Sequence, residues 1–590
     1  MPSLSPRFYA VLLLLWAALV VVLTLTPAAD MPRTPAWELL SFDTAAHAGV
    51  FAVLAGLGCL AARRQRRWPR LARHAAAAVL AGSILFGGLI EVLQQTMHLG
   101  RHGEWTDLLS DALGAALAVG VATAGAARLA GRSRRGHAAV LWACGLVGAA
   151  ILCPAPASAQ DMPRARRTIA KLASPGLYGR GYARAGEHRA AAYLRGRLQA
   201  LKLEPLALEY TQSFTLDVNT FPGKLSASIR AAGSASALTW AAGTSFIAAP
   251  NSGAGAVKGR IQLLDTSLFT KPAAQARFQR LSLGQRVLLL RAADEARFAR
   301  LPPVLRQHFN SAAAWITVVP KLTAALAATQ APQPRIVVLA EKMPLWLDKA
   351  IFGDSAADTP PGNAVWARLR VDARLRRSYS TQNLAALVRG TMRPDSFLIV
   401  SAHYDHLGQM GRRAYFPGAN DNASGVALLL ELAAYYAQPE NRPAYSVVFL
   451  LFGAEEAGLV GSRYFVAHPL VPLKRIRFLV NLDLLGTGEL GATVVNGRVL
   501  EAPYRRLVAL NAAHQYLPQL APRGPAANSD HFPFSEAGVP AFFIYTRGGS
   551  PAYHDVNDQP KALSLAGFAG SFGLVRDFLG ELGAAPATKK

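Results

Sequence analysis

The sequence predicts two parts of different class. An N-terminal all-α transmembrane bundle precedes a C-terminal α/β domain with a mixed, mainly parallel central sheet flanked by helices. Three observations carry this expectation. Up to about residue 155, long apolar runs alternate with arginine clusters, whereas the remainder has short apolar runs, turns and mixed charge. From Thr381 onward, strand-like and helix-like segments alternate. Three of those strands end within three residues of an acidic residue. At 590 residues the chain has room for several cores.

Five segments are apolar enough to be expected to span a bilayer, at about 8–27, 45–62, 75–97, 107–127 and 138–154. Arg63, Arg64, Arg66, Arg67, Arg70 and Arg73 lie between the second and third. Arg128, Arg132, Arg134 and Arg135 lie between the fourth and fifth, and the other two loops are poor in Lys and Arg. The positive-inside rule then predicts a multi-pass protein of a bacterial-type cytoplasmic (inner) membrane, with lipid bilayer as a partner. The N-terminus faces the cytoplasm, and everything after the fifth segment lies outside it, in the periplasm or beyond. Residues 136–160 admit a second reading. A basic start, an apolar middle and the ending Ala157-Ser158-Ala159 have the layout of an internal signal peptide, with release by cleavage after Ala159. Asp43, His47, Glu91, Gln94, Gln95, Arg101, Asp107 and Asp111 fall within or beside the apolar segments, as functional groups or as side chains snorkelling to the interface.

A net charge of +26 suggests nucleic acid. The sharpest basic clusters sit in short loops between apolar runs, however, and no zinc-finger spacing or aromatic-basic RNA motif occurs, so nucleic acid is not an expected partner. The three cysteines, Cys59, Cys144 and Cys153, all lie in the apolar part. Any metal further on must be held by His, Asp and Glu.

In the C-terminal part, "EHRAAAYLRGRLQALKLEPL" has a helical apolar period. The segments "GQRVLLLRA", "AAAWITVVPKL" and "PRIVVLAEK" read as short strands, with a helical stretch between the first two. The expected boundaries are 161–239 for a lead-in, 240–345 for a β-rich insertion and 346–590 for the main α/β domain.

The strand "FLIVSA" runs into His403-Tyr404-Asp405, "VVFLLF" into Glu455-Glu456, and "FLVNL" into Asp483. Sites in open α/β sheets form at the carboxyl ends of strands, and parallel strands would bring these three ends together. A solvated loop explains one acidic strand end; three converging ones call for more. Asp421 begins a predicted helix in "PGANDNASGVALLLELAAYYA", where it, Asn422 and Ser424 are all N-cap candidates. After "AFFIYT", the loop "SPAYHDVNDQP" adds Tyr553, His554 and Asp555. Uncompensated, such a cluster would repel itself in a low-dielectric cleft, and bound dications remove the problem. Zinc suits mixed His and carboxylate ligands, and paired metals are a known arrangement for hydrolases.

Two resemblances follow. "FDTAAHAGVFAVLA", "GGLIEVLQQT" and "RHGEWTDLLSDALGAALA" resemble the VanZ-like family of four-helix membrane proteins, over residues 1–135, with Asp111 where that family's Asn is expected. "SAHYDHLG", "GANDNASG", "FGAEEAGLVGS", "NLDLLG" and "YHDVNDQP" resemble the ordered motifs of the M28 family of zinc aminopeptidases. "SPGLYGRGYARAGEHRAAAYLRGRL" is similar to that family's opening, and 240–345 to its protease-associated insertion. The M28 resemblance implies two Zn2+ ions and a peptide substrate. His403 and Asp483 would bind one ion, Glu456 and His554 the other, and Asp421 would bridge. Glu455 would be the general base and Asp405 a partner orienting His403, or else a simple loop acid. Tyr553 would reach the developing oxyanion or merely pack. Asp530 and His531 would be structural or substrate-side, and His406 and His468 surface residues. The implied activity is a membrane-anchored or exported dizinc aminopeptidase. The alternatives are a carboxypeptidase or dipeptidase, glutaminyl-cyclase-like acyl transfer, and a non-catalytic binding ectodomain.

Overall fold

The computed structural model describes residues 6–25, 42–63, 67–97, 105–130 and 160–584, the last apart from 265, 299, 345–346 and 348–364. The chain divides into two compact units, Met1–Ala157 and Ser158–Lys590.

The first unit is helical: α1 (Pro6–Leu25), α2 (Phe42–Arg63), α3 (Pro69–Arg73), α4 (Ala75–Met97) and α5 (Trp105–Ala130). Val20, Phe51, Leu54 and Ile90 pack together, and the Trp16 indole N–H donates to the Val50 carbonyl at 3.1 Å. Gly114 lets α5 lie against α2, since a Cβ there would fall 2.0 Å from the Ala48 carbonyl oxygen.

The expected transmembrane bundle is overturned. Among the described residues no helix is long and apolar enough to cross a membrane. A span needs about 20 consecutive apolar residues, and in the sequence the runs without a charged residue or histidine cover only 48–62 in α2, 75–90 in α4 and 112–127 in α5. Helices thus occur where hydropathy places four of the five segments, but their continuous apolar length falls short. The multi-pass inner-membrane placement, the topology drawn from it and the lipid partner fall with the spans. The fifth segment, 138–154, and the cleavage point after Ala159 lie outside the described residues.

The second unit holds the predicted α/β sheet. Its strands are β1 (Glu204–Pro205), β2 (Thr211–Thr220), β3 (Arg374–Val388), β4 (Arg393–His403), β5 (Tyr445–Phe452), β6 (Ile476–Leu482), β7 (Ala492–Val495), β8 (Leu520–Arg523) and β9 (Ala541–Thr546). They run in the order β1-β3-β5-β4-β6-β9-β7-β8, with β2 also on β3. The centre, β5-β4-β6-β9, is parallel throughout. Antiparallel β3 and β7 flank it. Buried parallel strands read as unbroken apolar runs, and every residue of β5 is buried. One face is covered by the helices Gly425–Tyr436 and Phe568–Ala584, where Phe578 meets Phe478 and Phe542. On the other face Phe452, Phe465 and Phe534 form an aromatic cluster.

A second, eight-stranded sheet is built from segments between Leu225 and Val371. Arg286–Arg291, Ala314–Val319 and Arg335–Leu339, the three segments read as short strands, are parallel neighbours within it.

A buried arginine ties the start of this unit to the loops above the sheet. Arg180 is fully buried. Its guanidinium donates to the carbonyls of Tyr404 (2.8 Å), Leu172 (2.9 Å), Pro417 (2.8 Å), Gly418 (2.8 Å) and Asp421 (3.1 Å). Gly418 makes this approach possible: its φ is +59°, and a Cβ there would fall 2.2 Å from the Asp421 carbonyl oxygen and 2.5 Å from the Arg180 guanidinium. Replacing Arg180 leaves buried carbonyls without donors, at about 1–3 kcal/mol each. Arg180→Met is therefore expected to lower the unfolding free energy by about 3 kcal/mol or more, read from the midpoint of urea denaturation. A midpoint shift within error would show that solvent or a shifted loop replaces these bonds.

Candidate metal centre

Each side chain of the candidate centre is delivered by the end of a strand or by the turn after it. β4 ends at His403, in register with Phe452 of β5. The chain leaves β5 through Gly453 and Ala454, the latter at φ +58°, and so turns sharply into Glu455 and Glu456. β6 ends at Leu482, one residue before Asp483. His554 follows β9 in a loop and itself has φ +54°. Of the three N-cap candidates, it is Asn422 that caps, its Oδ1 accepting the Gly425 N–H at 2.9 Å. Asp421 is left free to face the cleft. Its backbone N–H, with that of Asn420, donates to the buried carboxylate of Asp558 at 3.0 and 2.8 Å.

These ends converge. His403 Nε2 lies 3.3 Å from Asp421 Oδ1 and 3.4 Å from Asp483 Oδ1. His554 Nε2 lies 3.1 Å from both Asp421 Oδ2 and Glu456 Oε2. Each oxygen of Asp421 thus faces a different histidine. The His403, Asp421 and Asp483 donor atoms all fall within 4.8 Å of one another, as do those of His406, Asp421 and Glu456. Asp483 Oδ2 accepts from Ser529 at 2.9 Å, whereas its Oδ1 is buried with no hydrogen-bond partner. An orphaned carboxylate oxygen aimed at an imidazole nitrogen, within a His and carboxylate set, fits a divalent cation.

The surrounding contacts fix these side chains. His554 Nδ1 donates to the Ala324 carbonyl at 3.1 Å, and the Ala324 N–H donates back to the His554 carbonyl, also at 3.1 Å. That leaves Nε2 turned to the carboxylates. His403 Nδ1 is 3.3 Å from the backbone carbonyl of Asp405 and 3.8 Å from its carboxylate. The Asp405 carboxylate has nearer partners, the Glu455 N–H at 3.1 Å and the Tyr182 hydroxyl at 2.9 Å. Tyr553 is about half exposed at 52 % and stacks on His554 with ring centroids 3.9 Å apart.

His468 lies at the surface, as expected, but His406 does not. It is fully buried, because the chain beyond the end of β4 stays in the interior over Tyr404–Gly408 and Gly418 leaves room for the ring. Asp530 and His531 are also fully buried, and Asp555 engages its own loop through the Asn557 N–H at 2.8 Å. Arg180, Tyr182, Ser529 and Asp558 escape a motif reading, although Arg180 and Tyr182 stand in the quoted "SPGLYGRGYARAG" and Asp558 in "YHDVNDQP".

Burial and mutual repulsion shape the ionisation. Burial alone would lower the pKa of His403, but Glu455, Asp483 and Asp421 hold it well above the ordinary range. Against burial in the same way, Glu456 and Asp421 push His554 up to about 11. Glu455 is raised well above the usual carboxylate range by burial, with Asp530, Glu456 and Asp483 adding to it. Its neighbour Glu456 goes the other way, to about 2, because His406 and His554 outweigh burial and Asp421. Burial lifts Asp530 to about 7 and Asp405 to about 6.

A family model described as Peptidase family M28 matches residues 383–578. The C-terminal part of this chain carries an M28 peptidase domain. Aminopeptidase YwaD of Bacillus subtilis (strain 168) is 34% identical over 183 residues, which is 29% of this chain and 37% of that protein. A protein of Pyricularia oryzae named probable zinc metalloprotease is 37% identical over 125 residues, 20% of this chain and 24% of its own length. The chain therefore spans well under half the length of these curated relatives. Among solved structures, BSAP, a zinc aminopeptidase from Bacillus subtilis, aligns with a TM-score of 0.52 at 21% identity, over 72% of this chain and 96% of its own. A peptidase M28 precursor from Shewanella amazonensis SB2B aligns at 0.55 and 16%, over 73% and 96%. At these identities the two structures show a shared fold.

In the metal-free protein His403 and His554 have raised pKa values and carry protons at neutral pH, while metal ligation needs a bare Nε2 on each. Zinc loading at pH 7 is thus expected to expel protons, and zinc affinity to rise with pH. Calorimetric titration in two buffers of different ionisation enthalpy measures this. Identical apparent enthalpies in both buffers would mean that no proton leaves.

Proposed function

We propose that the C-terminal part of this chain is a dizinc metallopeptidase, an aminopeptidase that releases N-terminal residues from peptides. The observation that carries the reading is Asp421, whose two oxygens face His403 and His554 separately, at 3.3 and 3.1 Å. A carboxylate so placed suits a bridge between two cations. The M28 domain, the relative named aminopeptidase and the fold shared with a zinc aminopeptidase support the same chemistry.

In this reading His403 and Asp483 would hold one zinc ion, Glu456 and His554 the other, and Asp421 would contribute to both. The ions would supply Lewis acidity for a nucleophilic water near neutral pH. Glu455 would accept a proton from the attacking water and deliver it to the leaving amine. Asp405 acts on Glu455 through its backbone N–H, setting where the turn places the carboxylate. Ser529 holds Asp483 by one oxygen and leaves the other for the cation. Tyr553, stacked on His554 at the rim, supplies a hydroxyl for the carbonyl oxygen as it gains charge.

The full-length chain is expected to cleave aminoacyl chromogenic substrates, to spare their N-blocked counterparts, and to lose activity on thorough chelation. Equal cleavage of blocked and free substrates would rule out the aminopeptidase reading, and undiminished turnover without metal would rule out the mechanism. Glu455→Gln is expected to keep both ions while kcat falls roughly 10²–10⁴-fold. Loss of zinc with no further effect on rate would instead exchange the roles of the two glutamates.

A further inference from the structure

His406 lies beside the ligand set and belongs to none of the roles above. Its Nδ1 is 2.6 Å from Glu456 Oε1, a distance that requires a shared proton. Its Nε2 is buried with no hydrogen-bond partner. With its proton on Nε2, the ring would bury an N–H without an acceptor and press two lone pairs together at Nδ1, two separate penalties. The tautomer with the proton on Nδ1 avoids both. The ring is also confined: it meets the His554 ring edge-on, at 6.0 Å between centroids and 72°, and Gly418 closes the other side, where a Cβ would fall 2.4 Å from His406 Cδ2.

Glu456 Oε1 is therefore occupied, and only Oε2 faces His554 Nε2 at 3.1 Å. Among the described residues no comparable bond reaches the Glu455 carboxylate; it is the Glu455 backbone N–H that is engaged, by Asp405. We propose that His406 is a positioning residue that commits Glu456 to a cation through a single oxygen and so separates the functions of two adjacent glutamates. The inference rests on the two-ion reading of the site. A direct ligand role for His406 is the competing geometry, since its Nδ1 is 4.0 Å from Asp421 Oδ1. It would need the lone pair that the proton shared with Glu456 already covers.

Zinc affinities of the full-length chain, His406→Ala and His406→Asn, measured by competition with a chromophoric chelator, test this. An asparagine amide nitrogen stands close to where Nδ1 stood and still donates. His406→Ala is expected to bind one ion as wild type does and the other about 10–100-fold more weakly, with His406→Asn recovering most of that loss. Equal loss in both variants would make His406 a ligand, and no loss in either would leave it a packing residue; both results overturn the proposal. A wild-type chain that binds fewer than two ions overturns the two-ion reading itself, a failure visible before any variant is made. Nitrogen NMR of the zinc-loaded wild-type chain, with labelled histidine, is independent of whether the variants fold. A protonated His406 Nδ1 supports the proposal, and a metal-bound one overturns it.

Discussion

The structure depends on one electrostatic constraint, the crowding of carboxyl groups in a single buried cleft. Asp405, Asp421, Asp483 and Asp530 are almost wholly enclosed, and Glu455 and Glu456 stand among them. An uncompensated carboxylate in such a place costs several kcal/mol. Parallel strands create the problem, because β4, β5 and β6 end on the same edge of the sheet. The surrounding architecture then answers it oxygen by oxygen. Ser529, Tyr182 and backbone N–H groups each satisfy one carboxylate oxygen, and the imidazoles of His403, His406 and His554 face several of the others. What remains unsatisfied, above all Asp483 Oδ1, outlines where positive charge belongs.

The neighbouring pair Glu455 and Glu456 illustrates how little sequence adjacency says about environment. One is driven up by burial among other carboxylates, while the other is pulled down by two histidines. The sharp turn through Ala454 accomplishes the separation by sending the two side chains toward different sets of partners. Similar residue types thereby acquire opposite tendencies within 1 peptide bond, a difference of surroundings alone.

The parts legible in the sequence are those whose cause is local. β5 and β9 appear as continuous apolar runs because both faces are covered, and the residues at the strand ends stand out because charge follows those runs at once. Arg180 was not legible, since its acceptors lie up to 241 residues away and no local pattern marks them. His406 was misread for the same reason: its partner Glu456 is 50 residues on, and a lone histidine in a polar stretch resembles a surface group. Asp421 looked like a cap because Asp and Asn are equivalent on propensity, and only the fold decides that Asn422 bonds Gly425. The membrane expectation failed differently. Averaged hydropathy located helices, but spanning is a condition on unbroken length, which the polar residues in α2, α4 and α5 violate.

The clamp on His554 is made entirely by main chain, the carbonyl and N–H of Ala324. Any residue except proline offers those two groups, but the Ala324 methyl is fully buried in the core of the eight-stranded sheet, so the position also calls for a small apolar side chain. Chain length is not free either. Deleting or inserting a single residue between Val319, where the last paired position of that strand lies, and Ala324 would slide the clamp out of register with the histidine. Selection on this loop accordingly acts on spacing as well as on the buried side chains of Leu322 and Ala324, and descendants of this protein should show very few gaps there.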